Sequence, residues 1–352
     1  MSLQSGKAAL YLEMPDVIPR TEMSAETHWK LVTQVTGIQV GSKSDIQTMT
    51  KAKRAFMEAW DYAMLWNVLS HFPYFQAKRT YMGHAVYAED GVDFNANKFT
   101  AFAEPEEVYA FDFYETYGEI DKKLALERFD EHYTNTCAAY PDTLNMTGIY
   151  VTAISGFLDM LGWDMLLYSA GYDYAAYCDF CNRYSRWITP LFEAMAVSKS
   201  PVVMIHDDMV WTSGPFIRLA FYKEVLFPNI KRQLAPVVEA GKKILFTSDG
   251  NYDLFVDDIA DCGVTGFCLE PLTNMEAIAE KYGKTHTIIG NADTRILLTG
   301  TKEDIYREVK RCIDTGRNCP GFMMCVGNHI PPNTPIENAL YYNECYEKQK
   351  KR

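Results

Sequence analysis

Residues 242–253 read KKILFTSDGNYD and join a short apolar run to an abrupt polar turn. The run Ile244, Leu245 and Phe246 is typical of a buried strand, and the polar residues after it are typical of a turn. The same pattern recurs several times after residue 200, each time followed by helical spacing. In α/β enzymes, polar residues at such strand ends often carry the chemistry. Asp249 is therefore either a turn former or a site residue.

The second half of the chain alternates short apolar runs with helical stretches. Strands are predicted at 201–205, 243–246, 265–269, 285–289 and 320–326, and helices at 216–241, 254–262, 275–282, 302–315 and from 336 onwards. Earlier strands are predicted at 17–21, 62–69 and 147–154. This alternation favours a parallel sheet with crossover helices. We predict an α/β fold in one domain spanning 1–352: a single (β/α)8 TIM-like barrel, distorted, with N-terminal helical additions. No glycine-rich phosphate-binding motif follows these strands, which disfavours a nucleotide-binding version.

Composition excludes several classes of protein. The 352 residues are 48% hydrophobic and 14% aromatic, enough for a large core. A net charge of −12 disfavours a general nucleic-acid surface. The sequence contains no run of 18 apolar residues, so no membrane span is predicted, and its N-terminus lacks the apolar core of a signal peptide. Nine cysteines then fit a reducing cytoplasm. The Cys178-x-x-Cys181 pair stands alone in a helical, aromatic stretch, which favours packing over metal binding.

Polar residues cluster at the predicted strand ends, which face a common mouth in a parallel barrel. They are Glu22; His206, Asp207 and Asp208; Thr247 and Asp249; Glu270; Asn291 and Asp293; Asn328 and His329. Each alone is explained as a turn former or a helix cap. Together they predict either a metal site or crowded carboxylates suited to general acid catalysis. Aromatic residues near these ends could line a pocket, or simply pack in the core: Trp66, Phe75, Tyr81 and Trp211.

Six stretches spread over most of the chain carry a family resemblance: VIPRTEMSAETHW (17–29), MGHAVYAEDGVDF (82–94), IHDDMVWTSGPFI (205–217), ILFTSDGNYD (244–253), IIGNADTRILLTGTKEDIYREVKRCI (288–313) and VGNHIPPNTPIEN (326–338). Together they resemble the uroporphyrinogen decarboxylase superfamily. The resemblance implies a distorted (β/α)8 barrel with its site at the C-terminal mouth. It also implies three chemistries: decarboxylation of uroporphyrinogen, methyl transfer from a methylated corrinoid protein to a thiol, and methyl transfer from a substrate such as an aryl methyl ether to a corrinoid protein.

Two of these chemistries lack their expected residues. True decarboxylases carry an RQAGR-like motif whose arginines face an anionic porphyrinogen, whereas here a single Arg20 is followed by Glu22. A polyanion needs paired cationic groups to replace its hydration. Thiol methyltransferases of the superfamily bind zinc through His-x-Cys and a later Cys. The matching positions are Thr247, Asp249 and Asn328, and Cys325 is not expected to replace the missing ligand.

The third chemistry, that of the O-demethylase component, fits best. The aryl-ether enzymes are associated with a zinc pattern Glu-x14-Glu-x20-His, and Asp293, Glu308 and His329 have this spacing. Zinc is therefore a candidate metal at these three residues. Glu308, however, falls inside a predicted helix that runs away from the mouth, so an exposed helix acid is the alternative.

These considerations predict a methyltransferase that moves a methyl group from a methoxylated, aromatic substrate to a corrinoid carried by a partner protein. A decarboxylase, a thiol methyltransferase and a degenerate binding protein are the alternatives, and the resemblance allows a homodimer. The predicted catalytic residues are His329, Asp249, Asp208, Asp207 and Glu22. The predicted substrate-binding residues are Asn291, Glu270, Trp211, Trp66 and Arg20.

Overall fold

A six-stranded parallel sheet forms the centre of the computed structural model, which describes residues 2–68, 101–150 and 152–352. The strand order is β1-β2-β5-β6-β7-β8, while β3 and β4 form a separate antiparallel hairpin. The strands are β1 Thr147–Ile149, β2 Val202–His206, β3 Val210–Trp211, β4 Gly214–Pro215, β5 Lys243–Thr247, β6 Gly266–Cys268, β7 Thr287–Ala292 and β8 Phe322–Val326.

The parallel strands are buried on both faces. Every residue of β2, β7 and β8 is buried, which explains why these segments read as continuous apolar runs rather than as alternating ones. Each of the five strands predicted after residue 200 is present, with ends shifted by up to three residues. The largest shift is in β7, which continues through Gly290, Asn291 and Ala292.

Isolated parallel bridges extend the sheet at both of its edges. Arg20 bridges to Met324 of β8 and also to Tyr62, and Met64 bridges to Leu144, just before β1. Within the described residues, the strands predicted at 17–21 and 62–69 are represented by isolated bridges alone, which include an antiparallel bridge from Val17 to Lys351, and residue 69 lies outside the described part of the chain. The parallel sheet and its bridges are consistent with a TIM-like barrel.

Helices lie between the strands and at the N-terminal side, as the α/β pattern requires. They are α1 Ser2–Leu10, α2 Trp29–Thr36, α3 Ile46–Ala59, α4 Pro105–Tyr109, α5 Phe113–Tyr117, α6 Lys122–Ala139, α7 Ile154–Tyr172, α8 Tyr174–Val197, α9 Leu219–Phe221, α10 Phe227–Glu239, α11 Val256–Asp261, α12 Met275–Tyr282, α13 Thr294–Thr299, α14 Lys302–Gly316 and α15 Ile336–Gln349. The helix predicted at 275–282 matches α12 in both bounds, and the helices predicted to begin at 302 and 336 begin at those residues.

Two predicted elements differ from the structure. The strand predicted at 147–154 ends at Ile149, because α7 already begins at Ile154. The long helix predicted at 216–241 is divided into α9, a π-helical turn at Tyr222–Leu226, and α10. Pro228 occupies the first turn of α10, where its missing N–H needs no partner, and Pro236 lies within α10 without ending it.

The helices of the described part of the chain bear on two further predictions, which concern a membrane span and the Cys178-x-x-Cys181 pair. None of its helices combines the length and the apolar character needed to cross a bilayer. Cys178 and Cys181 are free thiols on α8, with Cys181 buried in the core, in agreement with a packing role.

Candidate functional site at the mouth of the sheet

The C-terminal ends of the parallel strands lie along one edge of the sheet, called the mouth below. His206, the last residue of β2, pairs with Thr247 at the end of β5, and Thr247 pairs with Cys268 at the end of β6. Polar residues that follow these ends are therefore neighbours in space. They are Asp207 and Asp208 after β2, Asp249 after β5, Glu270 after β6 and Asn328 after β8.

Three side chains converge at the mouth: His206, Asp208 and Asp249, which we name the histidine–carboxylate cluster. His206 Nε2 lies 3.0 Å from Asp208 Oδ1, and the Asp249 backbone N–H donates to the same oxygen at 2.9 Å. One potential ligand atom from each residue lies within 4.8 Å of the others. Residues two apart on an extended chain share a face, so His206 and Asp208 point together, away from Asp207.

Ser155, at the start of α7, supports this cluster from behind. Its Oγ accepts the Asp208 backbone N–H at 2.9 Å and lies 3.3 Å from His206 Nδ1. Its backbone N–H donates to Asp207 Oδ1 at 2.8 Å, so Asp207 faces α7. The second carboxylate oxygen of Asp207 is buried and has no hydrogen-bond partner within the described residues. Burial raises the pKa of Asp207 to about 7.

The charges of the mouth perturb one another. Burial, together with the negative charges of Asp208 and Glu270, raises the pKa of Asp249 to about 8, although this side chain is open to solvent on one side. Burial by itself lowers the pKa of His206, but the neighbouring carboxylates raise it more, so the net shift is upward. Burial also raises the pKa of Glu270, against the hydrogen bonds it accepts. Such shifts are typical of functional sites.

Aromatic side chains form part of the wall around the cluster. The Tyr150 ring lies 4.5 Å from the His206 ring, and its hydroxyl is hydrogen-bonded to the predicted pocket residue Trp66. Burial raises the pKa of Tyr150 to about 12, so its hydroxyl keeps its proton at neutral pH. Trp211, at the end of β3, is 43% exposed and packs 5.7 Å from Trp163, measured between ring centres. Phe75 and Tyr81 lie outside the described residues.

Glu270 joins the cluster to a neighbouring cavity of about 340 Å³. Its carboxylate accepts the Gly250 backbone N–H at 2.7 Å and a hydrogen bond from the Asn328 amide. The Asn328 side chain in turn accepts the His329 N–H at 2.7 Å, and His329 Nδ1 lies 2.5 Å from Ser24 Oγ. The polar lining of the cavity includes Glu270, Asp293, Arg295, Asn328 and His329.

Comparison with known proteins places the chain in a family. A family model described as uroporphyrinogen decarboxylase (URO-D) matches residues 155–348, more than half of the chain. The chain belongs to the URO-D family. The stretch 82–94, which contributed to the resemblance, lies outside the described residues.

Curated relatives in the family are decarboxylases by name. Uroporphyrinogen decarboxylase of Syntrophotalea carbinolica is 26% identical over 196 residues, covering 56% of this chain and 54% of the relative. That of Thermus thermophilus is 26% identical over 151 residues, covering 43% and 42%. The chain thus spans about half the length, or less, of the curated relatives it matches.

A solved structure shows that the whole fold is shared. A methyltransferase from Methanosarcina mazei superposes with a TM-score of 0.63 over 99% of this chain and 98% of the other, at 16% sequence identity. The similarity is one of fold. The fold alone therefore does not decide between decarboxylation and methyl transfer.

The zinc ligands that the resemblance implies for thiol methyltransferases have no counterpart at the mouth. Thr247 hydrogen-bonds to the Cys268 thiol, and the Asn328 amide is engaged by Glu270. Cys325 is fully buried within β8, and burial raises the pKa of its thiol well above the ordinary value. No thiolate is therefore available in the described part of the mouth.

The three residues with the Glu-x14-Glu-x20-His spacing do not form a common group of ligands in the described structure. Asp293 caps α13 and forms an ion pair with Arg295 at 2.7 Å. Glu308 is buried rather than exposed, and it accepts hydrogen bonds from Arg311 at 2.6 Å and from the Asp293 backbone N–H at 2.9 Å. His329 and Asp293 do line the same cavity, without Glu308.

Three other predicted site residues are engaged in buried contacts. Arg20 and Glu22 form an ion pair at 2.6 Å, and Tyr342 donates to the same Glu22 oxygen at 2.9 Å. Both charged side chains are fully buried. Asn291 lies inside β7, donates to two backbone carbonyls at 3.1 Å and accepts from Arg311 at 2.9 Å. The structure does not bring these three into the histidine–carboxylate cluster.

Three residues at or beside the cluster were not among the predicted site residues: His206, Ser155 and Tyr150. His206 appeared at a predicted strand end, but the histidine role was assigned to His329. The two-residue alternation of a strand links His206 to Asp208 and could have indicated it. Tyr150 was hidden by a strand predicted to continue to residue 154. Ser155 carried no signal, because its contacts join segments about 50 residues apart.

Proposed function

We propose that this member of the URO-D family is a methyltransferase that moves a methyl group from a methoxylated aromatic substrate to the corrinoid of a partner protein. The observation that supports it is the histidine–carboxylate cluster, which Glu270 links to a neighbouring cavity whose described lining contains no cysteine and a single arginine, Arg295. The cavity lined by Glu270 and His329 would hold the substrate. Tyr150 and Trp66 lie outside this cavity, beside His206, where they would flank the methoxy group that reacts at the cluster.

Decarboxylation of uroporphyrinogen is the competing function, because the curated relatives carry that name. The described cavity lining contains a single arginine, Arg295, beside the carboxyl groups of Glu270 and Asp293, so a substrate with many carboxylates would find too few cationic partners there. Arg20 is held by Glu22 and lies 4.6 Å from the Trp60 ring, fully buried. Its guanidinium would have to leave these partners before it could bind a carboxylate.

The cluster addresses the difficult part of methyl transfer from an ether. The methyl–oxygen bond breaks with its electron pair remaining on oxygen, and the methyl group bonds to the reduced cobalt of the acceptor, which supplies the bonding electrons. The leaving oxygen would otherwise carry an unfavourable negative charge. His206, oriented by Asp208 and Ser155, and the neighbouring Asp249 are the polar groups placed to neutralise that charge. A proton delivered to this oxygen would give the phenol, and a cation bound there would stabilise the phenolate.

The test is a methyl-transfer assay with the purified full chain. The protein is mixed with a reduced corrinoid protein and a panel of methoxylated aromatic compounds, and the corrinoid spectrum and the released phenol are followed together. Matched samples receive uroporphyrinogen, or a methylated corrinoid protein with a thiol. We expect phenol release in proportion to corrinoid methylation. Decarboxylation of uroporphyrinogen without any ether cleavage would overturn the proposal.

Asp249→Asn supplies the site variant for this assay. Its matched control is Asp257→Asn, which removes a carboxylate from an exposed ion pair with Lys281 away from the mouth. Asp249→Asn is expected to lower the transfer rate by about 100-fold or more, whereas Asp257→Asn keeps the wild-type rate. Equal rates in the two variants would remove the cluster from the mechanism.

A further inference from the structure

The histidine–carboxylate cluster has the composition of a cation site. An imidazole nitrogen and two carboxylate oxygens come from three positions on two strand ends, and lie within 4.8 Å of one another. Zinc sites that retain reactivity commonly use three protein ligands of these kinds and leave a fourth position open. Ligand atoms around a tetrahedral zinc ion lie roughly 3.3 Å apart, from bond lengths of about 2.0–2.1 Å. A small inward shift would therefore suffice.

Asp249 is the ligand whose side chain is free to shift towards a cation. Asp249 is exposed, and the described residues provide no hydrogen bond to its carboxylate, whose backbone alone is tied to Asp208. His206, by contrast, is 7% exposed and is held in place. His206 is thus a fixed ligand and Asp249 an adjustable one, so the two could bind a cation without any rearrangement of the sheet.

Ser155 provides an independent indication that the donors are oriented. It contacts His206 Nδ1 at 3.3 Å and the Asp208 backbone N–H at 2.9 Å, so one hydroxyl positions two members of the cluster. A partner on the far nitrogen of a histidine fixes the ring and directs the other nitrogen to a metal, as is usual around metal-binding histidines. Asp249 and Glu270 form no ion pair with a lysine or arginine of the described segments, so added positive charge would relieve their repulsion.

We propose that His206, Asp208 and Asp249 bind a divalent cation of the zinc class, rather than Asp293, Glu308 and His329. The binding itself is independent of the proposed function. Only the role of the cation, which is to stabilise charge on the leaving oxygen as a Lewis acid, rests on that function.

Metal binding is tested on the full chain, stripped with a chelator and then titrated with Co²⁺ and Zn²⁺. Visible absorption of Co²⁺ reports the coordination, and elemental analysis gives the stoichiometry. We expect one equivalent per chain. Asp249→Asn should weaken binding by more than the roughly 10- to 100-fold expected for loss of the supporting hydroxyl in Ser155→Ala. Glu308→Gln and Asp293→Asn are the matched controls and should bind as the wild type does.

The choice of variant separates loss of binding from loss of folding. His206→Gln changes a buried side chain and could fail to fold, so Asp249→Asn, at an exposed position, carries the test, with circular dichroism as the folding control. Wild-type protein that binds no stoichiometric metal would overturn the inference. So would unchanged affinity in Asp249→Asn, or loss of binding in Glu308→Gln.

The failure of this inference differs from failure of the proposed function. Metal bound at the cluster without methyl transfer from any ether would sustain the site and reject the function. Methyl transfer at the full rate by metal-free protein would sustain the function and reject the catalytic role of the cation, while the titration decides separately whether the cation binds.

Discussion

Replacing Arg20 by Met separates a structural role from substrate binding. Arg20 Nη2 lies 2.6 Å from Glu22 Oε1, and the guanidinium also lies 4.5 Å from the Tyr346 ring. Removing one partner of a fully buried ion pair costs roughly 3–5 kcal/mol, because the other charge is left without compensation. Val326 N–H and the Tyr342 hydroxyl still donate to Glu22, at 3.0 and 2.9 Å. We therefore expect a loss near 3 kcal/mol.

The expected loss depends on pH with a definite sign. Burial raises the pKa of Glu22, and removal of Arg20 takes away its main opposing charge. An acid whose pKa is higher in the folded than in the unfolded state binds more protons when folded, so stability falls as pH rises above the unfolded value of about 4.3. Arg20→Met should thus be closer to wild type at pH 5 than at pH 8.

Urea denaturation at the two pH values measures both effects. Arg20→Met/Glu22→Gln should recover much of the loss and lose the added pH dependence, because the amide oxygen still accepts from Val326 and Tyr342. Arg54→Met, which breaks an exposed pair with Asp142 at 3.2 Å, is the control and should cost at most about 1 kcal/mol. Wild-type stability of Arg20→Met together with a raised KM would refute this reasoning and return Arg20 to the substrate site.

Three further predictions concern the mouth and its thiols. His329→Ala should raise the KM for the methoxylated substrate more than it lowers kcat, with an unchanged circular dichroism spectrum, because His329 lines the cavity proposed to hold that substrate; a wild-type KM would exclude His329 from substrate binding. Gly250→Ala should cost roughly 1–2 kcal/mol or more in urea denaturation, because φ is +84° and a Cβ would lie 2.7 Å from the Trp211 carbonyl oxygen. Burial raises the pKa of Cys268 to about 12, so native protein at pH 8 should resist alkylation there by mass spectrometry, whereas labelling of Cys268 would reveal a reactive thiolate.

The later part of the fold could be predicted because each element there carries its own signal. The apolar runs of β2, β5 and β8 and the helical spacing of α12 and α14 are local patterns, and α14 also begins with a capping box at Thr301. The early strands gave weaker signals. Residues 17–21 contribute only isolated bridges, in which contacts from distant segments replace a continuous ladder.

Site positions followed from topology, whereas the roles of individual residues did not. Asp208, Asp249 and Glu270 were expected at strand ends, and the structure places them at the mouth. Glu22 and Arg20 were expected there for the same reason, but they pack against Tyr342 of α15, more than 300 residues away in the chain. A residue next to a strand end can face either side, and only its distant neighbours decide which.

The metal pattern shows why spacing along a chain is a weak guide to a shared site. Fourteen and twenty intervening residues separate Asp293, Glu308 and His329, yet Glu308 lies in the second turn of α14 and accepts hydrogen bonds from Arg311 and from the Asp293 backbone N–H. Its carboxylate thereby fastens α14 to the end of β7. His206 ends β2 and Asp208 follows two residues later, and this short spacing brings His206 Nε2 within 3.0 Å of Asp208 Oδ1. Short spacing on a regular element therefore locates a site more securely than long spacing across several elements.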